Sequence, residues 1–368
     1  MKTLLSSYGH KYEVRGSRFQ LCGTANSAAI RNQGPHLLSL DRPAIVTAMF
    51  DDLKAADIHS AAKRIAKVCV RTPLRRSAAL SALLGGDAYL KLECEQVTGS
   101  FKLRGAYNAI ASLAPDVRAR GVVASSAGNH GLGVAYAAKE LGVKALVYVP
   151  KGAPAVKREG IAKLGATVDA ESADYDVAMA RAKKYAAEHG QTYINPCLGD
   201  TLIAGQGTVA LEILEELPKV AMVVTPVGGA GLLAGTGSLL RREAPQVRIA
   251  GAQSVNTAAM SRSLATGEVT HIESVPTLAD GLAGDIDDFA LDIGRHALDE
   301  LAVVSEAEIE EAIRWLWREE KLKVEGAGAV GIAALLQRRI APRFPLAVIV
   351  SGKNIDADRH SGIVEGRR

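Results

Sequence analysis

The sequence predicts an α/β fold in which parallel sheets are covered by helices on both faces. From residue 51 onward, short apolar runs alternate with helical patterns across brief turns. The chain is 48% hydrophobic with 36 glycines, the composition of a globular protein with large cores. Its 368 residues suffice for two ordinary domains. Strands are expected at 88–92, 121–124, 145–149, 166–170, 222–225, 247–252 and 346–350. Between them a helix is expected over 130–142, stopped by Gly142, and another over 174–189, rich in alanine and charged along one side. No internal repeat and no low-complexity linker divides the chain, so any domain boundary falls inside the alternation.

Residues 1–48 differ from the rest. They are rich in Ser, Asn, Gly and Arg, lack a regular period, and precede a second methionine, Met49, that opens a clean helical pattern. They read as an appendage: a transit-type segment, being basic and poor in acids, or a disordered or artificial tail. The net charge of +4 resides there, with Lys2, Lys11, Arg15, Arg18, Arg31 and Arg42 against Glu13 and Asp41. The remainder balances 38 basic against 38 acidic residues, which argues against nucleic acid as a partner. No apolar run reaches membrane-spanning length, so no membrane partner is expected. Cys22, Cys69, Cys94 and Cys197 lie far apart without a C-x-x-C pair, which argues against a disulfide framework and for a reducing, cytoplasmic setting.

The chemistry concentrates in turns that follow strands. In Thr98-Gly99-Ser100-Phe101-Lys102-Leu103-Arg104-Gly105, one lysine stands just past a glycine turn at the mouth of a helix. Partial burial and the positive helix end disfavour its charge and free the amine to form an imine, although a solvated lysine opening an ordinary helix would look the same. Ser125-Ser126-Ala127-Gly128-Asn129-His130-Gly131 also opens a helix, so its unpaired N–H groups form either an anion site or a plain helix cap. Pro226-Val227-Gly228-Gly229-Ala230-Gly231-Leu232 repeats that logic with small residues that let a phosphate approach closely. A dinucleotide reading of this loop wants it in the first βαβ unit with an acidic residue ending the next strand; here it comes late and that strand ends in Ala252-Gln253. Val350-Ser351-Gly352-Lys353-Asn354 offers a hydroxyl for a ring nitrogen, or simply a Ser-Gly turn. A nucleophilic lysine, a carboxylate cradle, a phosphate cradle and a hydroxyl together describe a pocket for pyridoxal 5'-phosphate bound to an amino acid.

The motifs S-F-K-x-R-G, S-A-G-N-H, G-G-x-G-L, A-D-G, E-G-A-G and S-G-x-N, in this order over residues 51–358, resemble the serine/threonine dehydratase family of fold-type II pyridoxal-phosphate enzymes. The resemblance implies a tryptophan-synthase-β-like fold of two doubly wound open parallel-sheet domains with the cofactor between them. The large domain would take residues 49–116 and 197–368, and a small mobile domain residues 117–196. It further implies that Lys102 forms the imine, Phe101 packs on the ring and Asn129 bonds the phenolic oxygen. Gly228, Gly229, Ala230, Gly231 and Leu232 would hold the phosphate, while Gly281 and Glu325 border the ring and Ser351 faces its nitrogen. Ser126, Ala127, Gly128, Asn129 and His130 would cradle the substrate carboxylate, with Cys197 near the substrate side chain. Relatives of this kind are often homodimers.

A serine facing the ring nitrogen cannot stabilise its protonation as a carboxylate would. The ring is then a weaker electron sink, and prompt loss of a β-substituent is favoured over transamination. The expected reaction is dehydration of a β-hydroxy-L-amino acid, threonine, serine or a bulkier analogue such as phenylserine, to a 2-oxo acid and ammonia. Lys102 would be general base at Cα, and by the resemblance the cofactor phosphate would protonate the departing hydroxyl. The alternatives are a serine- or aspartate-type racemase or dual racemase/dehydratase, a nicotinamide-dependent oxidoreductase, and a non-catalytic cofactor-binding protein. Racemisation is disfavoured by Ala127, which stands where similar racemases carry a proton-shuttling serine. No tight metal site is expected, because the stretch from Gln253 to Ala259 holds no carboxylate where some relatives bind a divalent cation; a loose ion on Gln253 and carbonyls stays open. Ala230 replaces the third of four glycines usual in the phosphate loop, which is tolerable if its φ stays negative. Cys197 and Gly199 are smaller than the residues of threonine-type relatives, leaving room for an aryl substituent, although Cys197 as a mere packing residue is equally open.

Overall fold

The computed structural model describes residues 30–32, 37–40, 55–273 and 275–367. Twelve strands form among them: β1 (Ile30–Asn32), β2 (Leu37–Leu40), β3 (Leu74–Arg76), β4 (Ala88–Lys91), β5 (Val122–Ser125), β6 (Ala145–Pro150), β7 (Thr167–Ser172), β8 (Thr192–Tyr193), β9 (Met222–Pro226), β10 (Arg248–Ser254), β11 (Glu300–Val304) and β12 (Leu346–Ile349). The larger sheet has the order β1-β2-β11-β10-β9-β12-β4-β3, parallel in its middle from β11 to β4 and closed at each side by antiparallel strands. The smaller sheet, β7-β6-β5-β8, is parallel throughout.

The period of two along the central strands shows why this sheet needs helices on both sides. Val223, Ile249, Ala347 and Ile349 enter one core, whereas Met222, Val224, Ala250, Ala252, Leu346 and Val348 enter the core on the opposite face. Both faces are lined by apolar side chains, so both must be covered. The small sheet is built likewise, with Val122 and Ala124 on one side and Val123 on the other against Ala178, Ala182 and Ala186 of the helix Tyr175–Glu188.

All seven expected strands form, with ends shifted by one or two residues. The expected helices form as Asn129–Glu140, after which Gly142 takes φ +64°, and Tyr175–Glu188, whose first turn is capped by Asp174 accepting from the Val177 N–H at 2.8 Å. Strands β3, β8 and β11 were not foreseen, nor were β1 and β2. Of these, β3 and β8 are only three and two residues long, and β11 begins on Glu300, a residue whose type argues for a surface position although it is buried. Of the appendage over residues 1–48, only β1 and β2 are described. They pair with each other, and β2 lies antiparallel to β11 with Leu38 opposite Leu301. The remaining residues of that stretch, and residues 49–54, lie outside the described residues. No helix among the described residues is long and apolar enough to cross a membrane.

Candidate active site

Lys102 opens the helix Lys102–Ala111, and the turn before it is fixed by the strand-end segment that follows β12. Ser100 bridges Gly352, the Phe101 N–H donates to the Ser351 carbonyl at 3.1 Å, and the Lys353 N–H donates to the Gly99 carbonyl at 2.9 Å. Gly99 has φ +76°, and a Cβ there would strike the Asn354 side chain, so only glycine makes this turn. The half-buried Lys102 amine donates to the Pro196 carbonyl at 2.8 Å and lies 5.2 Å from the centre of the Phe101 ring. Two motifs separated by some 250 positions in sequence are thus one piece of backbone, and buried Ser351 is joined through its carbonyl to the residue before the lysine.

The two expected anion loops both sit at strand C-termini, where open parallel sheets place their ligands. After β5, Ser126 Oγ accepts from the Gly128 N–H at 3.2 Å and the helix Asn129–Glu140 begins, leaving its first N–H groups without helical partners. After β9, a Cβ at position 228 would lie 2.9 Å from Leu282 Cα, and one at 229 would lie 2.7 Å from Cys197 Sγ. Side chains are excluded from this loop, so a ligand there meets backbone N–H groups and the positive end of the helix Gly231–Glu243. Ala230 departs from expectation. It is the N-cap of that helix with φ +62° and ψ 0°, the left-handed region, because the loop must reverse before the helix can start. An alanine there costs roughly 1–2 kcal/mol relative to its right-handed form. Its buried methyl group, packed in the core beside Leu232 and Leu233, offsets part of that.

Four polar groups tie these pieces together. Asn129 Nδ2 donates to Glu325 Oε1 at 2.7 Å, and Asn354 Nδ2 donates to Asn129 Oδ1 at 2.6 Å and to the Thr98 carbonyl at 2.8 Å. The Asn354 N–H donates to Glu325 Oε2 at 3.0 Å. Burial first, then the charge of Asp280, push the Glu325 carboxyl up to about 7, against the opposing pull of Asn129, Asn354 and Lys157. Asn129, expected to serve a cofactor oxygen, shares its amide with Glu325 and Asn354. Asn354 received no role in the sequence reading, although it closes the S-G-x-N motif. Gly281, expected to border the cofactor ring, lies next to this group, since a Cβ there would lie 3.8 Å from Glu325 Oε1 and 3.1 Å from Ala327 Cβ.

His130 is buried with Nε2 2.8 Å from the Ile194 carbonyl, which fixes the proton on that nitrogen. Burial and the nearby Lys102 charge push it down to about 3, so the ring is neutral. Cys197 is held by Asn195, whose Oδ1 accepts from the Cys197 and Leu198 N–H groups at 2.8 and 2.9 Å, and its sulfur rests against the phosphate-type loop. Gln253 is fully engaged: Nε2 donates to the carbonyls of Val227 and Thr257, and Oε1 accepts from the Ser261 N–H. Tyr175 and Tyr193, absent from the sequence reading, stand close enough to Cys197 that its charge would raise both phenols, burial being the larger cause in each.

Behind the lysine lies an ionic cluster that no motif announced. Arg104 is fully buried, forks onto Glu93 with two bonds of 2.8 Å, and reaches Glu212 at 2.7 and 2.8 Å. Lys91, equally buried, donates to Glu212 and to the Thr72 carbonyl at 2.6 Å each. Burial opposes the charge on Arg104, but Glu93 and Glu212 raise its pKa above the ordinary arginine value. The cluster joins β4, the lysine-bearing helix and the helix Asp200–Glu216.

The geometry fits pyridoxal phosphate. An amine, an apolar ring face, a small-residue anion loop at a helix N-terminus and a buried serine meet at the ends of β4, β5, β9 and β12, with the anion loop packed so closely on Leu282 and Cys197 that a Cβ at 228 or 229 would clash with them. Comparison with known proteins agrees. Residues 65–352 match the model of the family described as "Pyridoxal-phosphate dependent enzyme". The L-threonine ammonia-lyase of Thermotoga maritima is 42% identical over 312 residues, covering 84% of this chain and 77% of that protein. The solved threonine deaminase isoform 2 of Solanum lycopersicum, in its processed form, superposes with a TM-score of 0.84 at 30% identity, covering 92% of this chain and 99% of that one. Maize serine racemase superposes with a TM-score of 0.80 at 32% identity over 85% and 97% of the two chains. The chain therefore belongs to the fold-type II pyridoxal-phosphate dependent enzymes, in their serine/threonine dehydratase group.

Proposed function

We propose that the protein is a pyridoxal-phosphate-dependent ammonia-lyase that dehydrates a β-hydroxy-L-amino acid to a 2-oxo acid and ammonia. The observation that carries this reading is Ser351: the residue at the end of β12, whose carbonyl accepts from the Phe101 N–H next to Lys102, is a buried serine and not a carboxylate. Bound pyridoxal phosphate supplies an electron sink that acidifies the Cα–H of an attached amino acid. Without an anionic partner at its nitrogen that sink is weak, which favours expelling the β-hydroxyl over transamination.

In this reading Lys102 Nζ takes the Cα proton, and its tether to the Pro196 carbonyl holds the amine in the cleft beforehand. The N–H groups from Ala127 to Asn129 bind the substrate carboxylate, and those from Gly228 to Leu232 bind the cofactor phosphate. Phe101 gives the ring an apolar face. Neutral His130 keeps its imidazole out of proton transfer and anchors the start of its helix to Ile194. Glu325, tending to hold its proton near neutrality, fixes Asn129 and Asn354 without placing a full negative charge against the ring. The small residues Cys197 and Gly199, on the segment that packs over the anion loop, leave room for β-substituents larger than the methyl of threonine, phenylserine included. The reading includes a cytoplasmic homodimer, a part in amino-acid catabolism, and movement of residues 117–196 as a small domain on the larger one. Ala127 lacks the hydroxyl a second-face proton donor requires, so racemisation is the weaker alternative.

The test is to supply the protein with L-serine, L-threonine, L-threo-3-hydroxyaspartate and L-threo-phenylserine and to follow 2-oxo acid and ammonia, with Lys102→Ala as control. Release that depends on Lys102 supports the reading and ranks the side chains accepted. A protein that binds the cofactor and exchanges Cα hydrogen, yet releases nothing from any of the four, overturns it.

A further inference from the structure

Outside the groups assigned above, one charged pair joins the small-sheet region to the large one at the rim of the cleft. Lys157, on the helix Ala155–Lys163, donates to Asp280 Oδ2 at 3.0 Å. Both ends are anchored in the site. The lysine's helix packs under the first anion loop, since Ile161 Cδ1 lies 2.9 Å from where a Cβ of Gly131 would stand. Asp280 opens the short turn Asp280–Leu282, whose Gly281 borders Glu325 and whose Leu282 backbone lines Gly228 of the second loop. We propose that the Lys157–Asp280 ion pair is a latch that holds the small-sheet region against the large one over the cleft.

The pair suits that task. Its side chains are 32% and 51% exposed, so it is screened and contributes little to overall stability, which leaves it free to open without unfolding either region. The helix Asn129–Glu140 also shares an apolar core with the lysine-bearing helix, Val134 and Ala135 lying with Leu103 and Ala106, and through Asn129 it bonds Glu325 and Asn354. The charged groups facing Glu325 are Asp280, from the turn before Gly281, and Lys157, from the helix Ala155–Lys163; Asn129 and Asn354 complete its shell without charge. Asp280 raises the Glu325 pKa and Lys157 lowers it. Closing the latch therefore brings both charges to bear on Glu325, and opening it removes the lysine's restraint. Loss of the lysine charge drives Glu325 towards the protonated form, and loss of the aspartate charge drives it towards the ionised form.

The inference rests on the ammonia-lyase reading for its kinetic readout only. The experiment uses the holoenzyme and its Lys157→Met, Asp280→Asn and charge-swapped Lys157→Asp/Asp280→Lys variants. Amide hydrogen exchange over residues 155–163 is measured alongside KM and the pH profile of kcat/KM with L-threonine. Each single substitution is expected to raise KM severalfold and speed exchange, and the swap to bring both back towards the parent values. The profile limb near neutrality moves to higher pH in Lys157→Met and to lower pH in Asp280→Asn, a pair of opposite shifts that a purely structural contact does not produce. Unchanged exchange and KM in both single variants, shifts of the same sign, or a swap no better than the singles overturn the latch. If the parent protein releases no 2-oxo acid, the lyase reading fails, and the exchange data still decide the latch.

Discussion

Replacing Arg104 by methionine tests whether the ionic cluster behind Lys102 is what holds the lysine-bearing helix. The cluster has two cations, Arg104 and Lys91, against two anions, Glu93 and Glu212, and three of the four are fully buried. Removing the guanidinium leaves two carboxylates sharing one ammonium with no water to replace the lost bonds. Breaking a buried pair in this way costs about 3–5 kcal/mol, a large part of the ~5–15 kcal/mol by which a typical fold is stable. The cost arises from an uncompensated charge, so adding Glu93→Gln, which restores neutrality with Lys91 still on Glu212, should recover most of it. Urea unfolding followed by the fluorescence of Trp315 and Trp317 measures both variants against the parent. A loss below about 1 kcal/mol in Arg104→Met would refute the account, and so would a double variant no more stable than the single one, because either result would mean that the cluster holds the helix by packing and not by charge.

Lys102→Ala should abolish 2-oxo acid release by a factor of at least ~1,000 while leaving the unfolding transition nearly unchanged, since the amine's recorded bond is a single one to the Pro196 carbonyl. Ala230→Gly should leave cofactor affinity within about twofold, as relief of ~1 kcal/mol of left-handed strain and loss of ~0.8 kcal/mol of buried methyl nearly cancel. Ala230→Val, with a β-branched residue at φ +62°, should weaken affinity at least tenfold, as read by fluorescence titration of the cofactor-free protein. Glu325 has a folded-state pKa raised to about 7 from 4.5, so it binds its proton more tightly folded than unfolded. Its contribution to stability is complete below 4.5 and is lost as pH rises through 7. Melting temperatures measured across that window should accordingly fall in the parent relative to Glu325→Gln, and equal slopes would exclude the assignment.

Some of the site was legible in the chain because local chemistry dictates it. A lysine after a glycine turn, two small-residue loops between strand and helix, and a Ser-Gly strand end each announce themselves through short-range backbone requirements. Gly99 shows this, since its positive φ and its contact with Asn354 leave no other choice. What joined these pieces was not local. Asn129, Glu325 and Asn354 belong to three separate motifs, and they become one hydrogen-bonded unit only because the ends of β5 and β12 and the start of the helix Gly326–Leu336 meet. The sign of φ at Ala230 was likewise beyond the sequence, because it depends on the direction from which β9 feeds the next helix.

The alternation of apolar period, with turn chemistry between, by itself determined an α/β protein whose central strands are buried on both faces, and the ordered motifs determined its family. Tertiary structure alone decided which charges face one another: Arg104 between Glu93 and Glu212, Lys157 opposite Asp280, and both latch charges near Glu325. The physical reason is the range of the interactions. Backbone propensity and hydrophobic period act over a few residues and are written in the order of the chain. The ionisation of a buried group depends instead on every charge and dipole within several ångströms, most of which arrive from distant parts of the sequence.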